Sequence, residues 1–258
     1  MPHSAAEIQF YDTCVRVGRS RAPDPLGNVT DVRRLLACME KHHISHAAVE
    51  HAVALEGSPR LGHELLANEI AGQENLRSAW HLMPAVSPRI EKAVTDPAEI
   101  LAQRVALGRV DAKDFCLGKG DFAGFGPVLE ACQQVHLPVF LDFRRQGDFI
   151  LFDLDICRRW PGIPFVLEGV GNYPLHKIVW GLKEYANLYA STVGMSGFNE
   201  VAFLCEEVGV SRILFGSNWP AANIGLNLGA VLFAGVSTED RQQIAAGNFM
   251  RLLAGIGL

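Results

Sequence analysis

Several features are missing from this 258-residue sequence, and each absence excludes a class of protein. No apolar run reaches the roughly 18 residues that a transmembrane helix needs, and Met1 to Glu7 lack the basic and apolar regions of a signal peptide. Positive charge is not in excess, since the net charge is -5, so neither nucleic acid nor an anionic membrane is expected as a partner. The six cysteines form no Cys-x-x-Cys pair, which predicts reduced thiols in a cytoplasmic protein.

The sequence does contain short apolar runs that alternate with amphipathic segments. The runs are typical of buried parallel strands, and no linker or low-complexity segment divides the chain. Strands are predicted over Ile8–Val17, Ser45–Leu55, Leu76–Val86, Arg109–Cys116, Leu137–Phe143, Pro164–Val170, Asn187–Thr192 and Arg212–Ser217. Eight strands alternating with helices predict one (β/α)8 TIM barrel over residues 1–258, and a doubly wound open sheet is the alternative.

The helices between these strands follow from apolar residues at helical spacing and from Pro and Gly at their ends. Thr30 is expected to cap the first helix, and a long loop through Gly229 is expected before the last helix. Helices are predicted over Asp31–Lys41, Arg60–Gln73, Pro97–Leu107, Gly126–Val135, Phe149–Trp160, Leu175–Tyr185, Phe198–Val208 and Thr238–Leu253.

The eighth predicted strand ends in Gly216-Ser217-Asn218-Trp219-Pro220, at the edge of the sheet where a barrel carries its chemistry. From about Ile8 to Leu253 the chain resembles the amidohydrolase-related, metal-dependent hydrolases of TIM-barrel fold. The matching pieces are Tyr11-Asp-Thr-Cys-Val-Arg-Val-Gly18, Leu137-Pro-Val-Phe-Leu-Asp142, Pro164-Phe-Val-Leu-Glu-Gly-Val-Gly171, Asn187-Leu-Tyr-Ala-Ser-Thr192, the Gly216 strand end and Gly247-Asn248-Phe-Met-Arg-Leu-Leu253.

The resemblance implies a set of metal ligands that this sequence does not have. The two His residues of the family's first strand correspond to Cys14 and Arg16, and the His residues of its fifth and sixth strands correspond to Asp142 and Gly169. The metal-binding Asp of the eighth strand corresponds to Asn218. A guanidinium stays protonated and cannot ligate a cation, so Arg16 would place a fixed positive charge at the metal position. We therefore expect a barrel without the family's metal and without a cofactor.

Two interpretations of the altered site remain open. In the first, Arg16 and Asp142 form a salt bridge that fills the vacated position. In the second, Arg16, Arg144 or Arg145 holds a carboxylate or phosphate in a bidentate fork. Asp142 is then the candidate base for a water molecule, and Arg16 and Asn218 stabilise the oxyanion. The side chains predicted to line the substrate site are those of Cys14, His81, Lys113, Arg144 and Trp219.

Several of these residues also have an ordinary structural explanation. His81 fits a hydrogen-bonded wall residue, and Lys113 fits an ion pair at the rim better than a Schiff base. Cys14 as a nucleophile lacks an identifiable base. Glu168 has the opposite strand parity to Gly169, so it either reaches the mouth through a kink or is a buried, paired carboxylate.

Two functions from different classes are consistent with these residues. The first is a metal-independent hydrolase that acts on a small anionic substrate of carboxylate or lactone type at the mouth of the barrel. The second is a non-catalytic barrel that binds a ligand or partner. A third alternative keeps a metal on Cys14, Asp142 and either His51 or His81. The apolar segment from Trp219 to Ala230 also predicts a homo-oligomer, or a lid over the mouth.

Overall fold

The computed structural model describes residues 8–21, 29–85, 93–112, 124–144, 154–171, 174–197 and 199–257, with the side chain of residue 29 left out. Nine strands of these residues form one sheet in the order β2-β1-β3-β4-β5-β6-β7-β8-β9. They are β1 (Phe10–Arg19), β2 (Val29–Thr30), β3 (Ile44–His51), β4 (Leu76–His81), β5 (Leu107–Asp111), β6 (Val139–Asp142), β7 (Phe165–Glu168), β8 (Leu188–Ser191) and β9 (Ile213–Leu214).

Eight of these strands run parallel, and the sheet closes on itself. β2 alone is antiparallel and pairs with the end of β1. Past the end of β9, Val15 and Trp219 form a parallel bridge. The backbone N–H of Thr13 donates to Phe215 at 3.2 Å, and that of Arg16 donates to Trp219 at 2.9 Å. These bonds join the first strand to the last, so the (β/α)8 barrel predicted from the sequence is confirmed.

Helices cover the outside of the barrel and follow most of its strands. They are α1 (Val32–Lys41), α2 (Ala52–Glu56), α3 (Pro59–Glu69), α4 (Pro97–Ala102), α5 (Gly126–Gln134), α6 (Ile156–Arg159), α7 (Leu175–Glu184), α8 (Glu200–Val208), α9 (Ile224–Leu232), α10 (Thr238–Gln242) and α11 (Asn248–Ala254). A π-helical turn, Gln243–Gly247, joins α10 to α11. No described helix is long and apolar enough to cross a membrane.

The apolar core has two parts, because successive residues of a strand point to opposite faces of the sheet. The larger part packs the strands against the surrounding helices. The smaller part lies inside the barrel, where Tyr11 and Phe140 meet Phe249 of α11. The ring centroids of Tyr11 and Phe249 are 4.9 Å apart, and those of Phe140 and Phe249 are 6.2 Å apart. The closing helix therefore fills one end of the barrel, and the carboxyl ends of the strands form the other.

Several predicted boundaries are wrong. The cap of α1 is Asp31 rather than Thr30, because the Asp31 side chain accepts the backbone N–H of Arg34. The second barrel strand ends at His51, and the third ends at His81. Residues predicted as further strand or loop form two helices instead, α2 and α9. The third predicted helix ends at Ala102, since Leu107 already belongs to β5. The predicted segments 86, 113–116, 149–153 and 198 lie outside the described residues.

Candidate functional site at the barrel mouth

The first charged layer inside the barrel is built around Arg109, which is completely buried in the middle of β5. Its Nε donates to Glu168 at 2.8 Å, its Nη1 donates to Glu50 at 2.7 Å, and its Nη2 donates to the carbonyl of Thr13 at 2.9 Å. Arg109 aligns with Phe140 of β6 in the parallel register, and Phe140 belongs to the interior core. The guanidinium thus ties β5 to β1, β3 and β7 from inside.

Arg144 forms the second layer, two residues beyond the end of β6. Its Nε and Nη2 donate to Asp142 at 2.9 and 2.7 Å, and its Nη1 donates to Asn218 Oδ1 at 2.8 Å and to Cys14 Sγ at 3.0 Å. Nη2 also reaches Glu50 Oε1 at 3.4 Å. Every N–H that a guanidinium possesses is therefore directed at an acceptor within the chain. We call Cys14, Glu50, Asp142 and Asn218 the acceptor ring of Arg144.

Gly169 provides the space in which Arg144 lies. It has a φ of +78°, and a Cβ atom built on it would lie 2.6 Å from Cγ of Arg144 and 2.8 Å from its backbone nitrogen. A side chain at position 169 would collide with the arginine. Of the positions that the resemblance assigns to metal ligands, Cys14, Asp142 and Asn218 thus contact the guanidinium of Arg144, and Gly169 borders the Cγ and backbone of the same residue.

Two guanidinium groups face three carboxyl groups in these layers, which leaves one negative charge in excess when all are ionised. Burial alone would raise the pKa of Asp142 and of Glu50, but the neighbouring arginines lower both below their usual values. Burial raises the pKa of Glu168, and Arg109 and Arg144 only partly offset it. Glu168 is therefore the carboxyl group of this cluster that takes up a proton most readily.

Cys14 is buried, and its thiol is the sulfur member of the acceptor ring. Burial raises its pKa well above the ordinary value, although Arg144 acts in the opposite direction. The carboxylates already outnumber the guanidiniums, so no uncompensated positive charge remains in the two layers to stabilise a thiolate. The electrostatics therefore disfavour Cys14 as a nucleophile.

A set of backbone contacts fixes the turn that carries Asn218. Oδ1 of the buried Asp12 accepts the backbone N–H of Cys14 at 3.0 Å and that of Ser217 at 2.9 Å. Ser217 Oγ accepts the N–H of Trp219 at 3.0 Å, and Asn218 has a φ of +56°. Burial raises the pKa of Asp12 to about 6. The first strand thereby holds the turn after β9 so that Asn218 faces Arg144.

The structure brings several of the predicted site residues together. Asp142, Asn218 and Cys14 converge on Arg144. Arg16 is half-buried on β1 opposite Glu50, and its positive charge helps to lower the pKa of Glu50.

Other predicted site residues lie at the margin of this cluster. His81 ends β4 and pairs with Arg109 in the register of β4 and β5. Trp219 is buried beside the first strand, where it forms the bridge with Val15. Lys113 and Arg145 lie outside the described residues, so their predicted contributions remain predictions.

Arg109 was not among the site residues predicted from the sequence. Gly169, rather than Glu168, was predicted as the position of its strand that faces the barrel interior. Asp142 and Glu168 are register partners on β6 and β7, so Glu168, rather than Gly169, presents a side chain to the interior at this level. Two alternatives were given for Glu168, a side chain that reaches the mouth through a kink and a buried, paired carboxylate. The ion pair with Arg109 at 2.8 Å corresponds to the second. The alternation Leu107, Arg109, Asp111 along β5 was the available signal for Arg109, since Leu107 is an interior residue.

These residues do not fit the divalent metal that the family resemblance implies. A protonated guanidinium lies among Cys14, Asp142 and Asn218, and it cannot be deprotonated to admit a cation. Among the residues with a described structure, no group of three or more His, Cys, Asp or Glu side chains has an arrangement that could hold a metal ion.

The fold and the site define an amidohydrolase-type barrel. A family model described as Amidohydrolase matches residues 109–254, which is more than half of the chain. The chain belongs to this family. No curated protein matches the sequence.

Solved structures agree with this assignment at the level of the fold. The 2,6-dihydroxybenzoate decarboxylase from Rhizobium is 14% identical over 96% of this chain and 99% of its own, with a TM-score of 0.72. The 5-carboxyvanillate decarboxylase from Sphingomonas paucimobilis is 16% identical over 97% and 100%, with a TM-score of 0.71. A Pseudomonas putida protein described as a putative 2-pyrone-4,6-dicarboxylic acid hydrolase is 17% identical over 96% and 98%, with a TM-score of 0.66.

Proposed function

We propose that this protein is a metal-independent member of the family that binds a small compound of carboxylate or lactone type at the barrel mouth and hydrolyses an ester bond of the lactone type in it. The observation that carries the proposal is the position of Arg144, whose guanidinium contacts Cys14, Asp142 and Asn218. The guanidinium joins these side chains without a metal, and its own charge is balanced by the neighbouring carboxylates. Half-buried Arg16 and Asn218 are the polar groups through which an anionic compound would bind.

The structural neighbours support the choice of compound class. Two of them are named for decarboxylation of aromatic carboxylates, and one is described as a hydrolase of a pyrone dicarboxylic acid, which is a lactone. Their identities to this chain lie below 20%. The neighbours therefore support small carboxylates and lactones as a class to be tested, and the particular compound follows only from the test.

In this proposal Asp142 is the base for the attacking water, and Arg16 and Asn218 stabilise the developing oxyanion. Both oxygens of Asp142 accept hydrogen bonds from Arg144, and the net effect of its surroundings lowers the pKa of Asp142. A carboxylate held in this way is a weak base, so slow turnover is expected.

The same contacts favour a second candidate, a barrel that binds its ligand without converting it. All N–H groups of Arg144 and both Asp142 oxygens are engaged inside the chain. Side chains whose hydrogen-bonding groups are all paired with one another stabilise the fold and fix the shape of the site. They contribute little to a chemical step. Binding without turnover is the outcome that would distinguish this candidate.

The test is calorimetric titration with 2,6-dihydroxybenzoate and with 2-pyrone-4,6-dicarboxylate in the presence of a chelator, followed by an assay of ring opening of the pyrone. The benzoate has no bond to hydrolyse and tests binding alone. We expect Arg16→Ala to weaken binding at least 10-fold, whereas Arg19→Ala, an exposed arginine of the same strand, leaves it unchanged. Asp142→Asn should retain binding and lose turnover. Turnover that appears only after zinc or manganese is added would contradict the proposal, and binding without turnover in the wild type would select the second candidate.

We also propose a homo-oligomer that uses the exposed face of α9. Leu226 is 54% exposed and Phe233 is 87% exposed, and no charged residue occurs between Arg212 and Glu239. A groove of about 270 Å³ is lined by Phe233 together with small residues such as Gly229 and Ala230 and with the acidic Glu200. An aromatic side chain and a groove on the same face suit a twofold contact between identical chains.

A further inference from the structure

The acceptor ring of Arg144 comes from several separate parts of the barrel. Cys14 belongs to β1, Glu50 to β3 and Asp142 to β6, and Asn218 follows β9. Elements far apart in the sequence thus direct a thiol, two carboxylates and an amide oxygen at one point. The guanidinium at that point is the positive centre which the four groups share.

Removal of the Arg144 side chain would change the charge balance of this point in a defined way. With Arg144 present, the buried carboxylates Glu50, Asp142 and Glu168 exceed the guanidiniums by one charge. Without it, Arg109 would be the remaining guanidinium of the two layers, with half-buried Arg16 beside Glu50, and Asp142 would lose its nearest positive partner. A divalent cation would restore positive charge at this point.

The acceptor ring also contains donor atoms that suit a divalent cation, although with Arg144 in place the described side chains are arranged around its guanidinium and not as a metal site. Thiolate sulfur and carboxylate oxygen are ordinary zinc ligands, and zinc binding drives the deprotonation of a coordinating thiol. Cys14 and Asp142 are both buried, and they already lie within hydrogen-bond distance of the same guanidinium. Glu50 keeps one oxygen on Arg109 and directs the other at Arg144.

We propose that Arg144 is a covalently attached substitute for a divalent cation, and that its acceptor ring binds zinc once the side chain is removed. The inference rests on the metal independence in the proposed function, and it adds that the groups around Arg144 can take up an ion in its place. In the wild type the guanidinium excludes the ion both by occupying the space and by repelling its charge.

The experiment compares purified wild type, Arg144→Ala and Arg158→Ala after incubation with one equivalent of zinc and gel filtration. Arg158 is an exposed arginine paired with Asp155 and Glu184, so its removal makes the same change in charge outside the site. We expect elemental analysis to find one zinc per chain in Arg144→Ala and none in the other two. Zinc at about 100 times its Kd should also raise the Tm of Arg144→Ala by about 5–10 °C.

Further variants assign the zinc to this ring. Arg144→Ala combined with Asp142→Asn should lose the bound zinc, and Arg144→Lys, which keeps a cation, should not acquire it. If Arg144→Ala folds only when zinc is present, the proposal is supported. If it does not fold at all, Arg144→His, which keeps a bulky side chain and offers an imidazole, is expected to bind zinc instead.

Three results would overturn the inference: a folded Arg144→Ala protein without zinc affinity, equal zinc uptake by Arg158→Ala, or an Arg144→His protein that binds none. Stoichiometric metal in the wild type is a separate result, because it would contradict the proposed function as well. A metal-free wild type combined with a metal-free Arg144→Ala protein would leave the proposed function standing and reject only this inference.

Discussion

Arg109 and Arg144 are stable in the barrel interior because each carries its own counter-charges. A buried charge costs several kcal/mol in lost hydration, which excellent geometry and neighbouring opposite charges offset. Arg109 has carboxylates of Glu50 and Glu168 at 2.7 and 2.8 Å, and Arg144 has Asp142 at 2.7 Å. The two layers are coupled, since Glu50 and Glu168 also lie 3.4 and 3.6 Å from the guanidinium of Arg144 and are thus shared by both arginines.

His63 gives a prediction about pH at the scale of a single residue. Its Nε2 accepts the backbone N–H of His81 at 3.1 Å, and its ring stacks on Trp80. Burial lowers the pKa of His63 to about 3, so the folded protein keeps the ring neutral while the unfolded chain takes up a proton below about pH 6.5. Stability from this group is complete above pH 6.5 and falls by about 1.4 kcal/mol per pH unit below it.

His63→Gln should therefore reduce the loss of stability between pH 7.5 and pH 5, measured as the change in urea midpoint. Gln retains an oxygen that can accept the N–H of His81 and does not titrate. His136→Gln is the control, because His136 is exposed. An unchanged pH dependence in His63→Gln would show that the pKa of His63 does not differ between the folded and unfolded states.

The identities of the site residues were predictable from the sequence only in part. Asp142, Asn218, Cys14 and Arg144 were predicted near the mouth, and in the structure their side chains contact one another, while their roles in binding or catalysis stay predictions. Which cation lies among them was not predictable, because Arg144 lies two residues beyond its strand and its direction depends on the turn. β1 also shifts register against β3 between Asp12 and Val15, so strand parity alone could not order its side chains.

At the scale of elements, the barrel strands were easier to predict than the short helices. Buried parallel strands are apolar on both faces and bounded by Gly or Pro, which is a strong local signal. α9 was missed because its exposed face is apolar as well. Ile224, Leu228 and Val231 are buried, while Leu226 lies on the exposed side, so the helix lacks the usual alternation of polar and apolar faces.

This apolar face leads to a prediction about association. Phe233→Ser should convert an oligomer of the wild type into monomers, or weaken its association at least 10-fold, in sedimentation equilibrium. Trp180→Ser is the matched control, because Trp180 is 60% exposed on α7, away from the α9 groove. A wild type that stays monomeric at high protein concentration, or a loss of association in Trp180→Ser as well, would remove the support for this interface.

At the scale of the whole molecule, the last helix completes the barrel that the first strand begins. Phe249 and Leu252 of α11 enter the interior cluster with Tyr11 of β1. Asn248 donates to the carbonyl oxygens of Val210 and Ile213, both at 2.8 Å, which ties the helix to the start of β9. The chain therefore needs both of its ends to form one core.

Phe249→Ala should destabilise the whole protein by about 3–5 kcal/mol, because it opens a cavity at the closed end of the barrel. Met250→Ala, the neighbouring residue with 53% exposure, should change the free energy of unfolding by less than about 0.5 kcal/mol. Urea unfolding curves of both variants make the comparison. Similar values for the two substitutions would mean that α11 is not part of the cooperative core.

The fold of the whole molecule was predictable because it depends on many residues that repeat one pattern. Eight apolar runs with the right order define a barrel even when individual boundaries are wrong by several residues. The site depends instead on a few side chains such as Arg109 and Glu168, whose positions are fixed by long-range register and by closure of the sheet. Local patterns in the sequence do not contain that information.

The cation at the mouth of this barrel is part of the polypeptide, since it is the guanidinium of Arg144. A bound ion has an equilibrium with the surrounding solution, and it leaves when a stronger chelator competes or when its supply falls. Arg144 has no such equilibrium, so the mouth keeps the same charge through starvation for trace elements. The charge also cannot be exchanged for that of another ion, and it changes only when the codon for residue 144 changes.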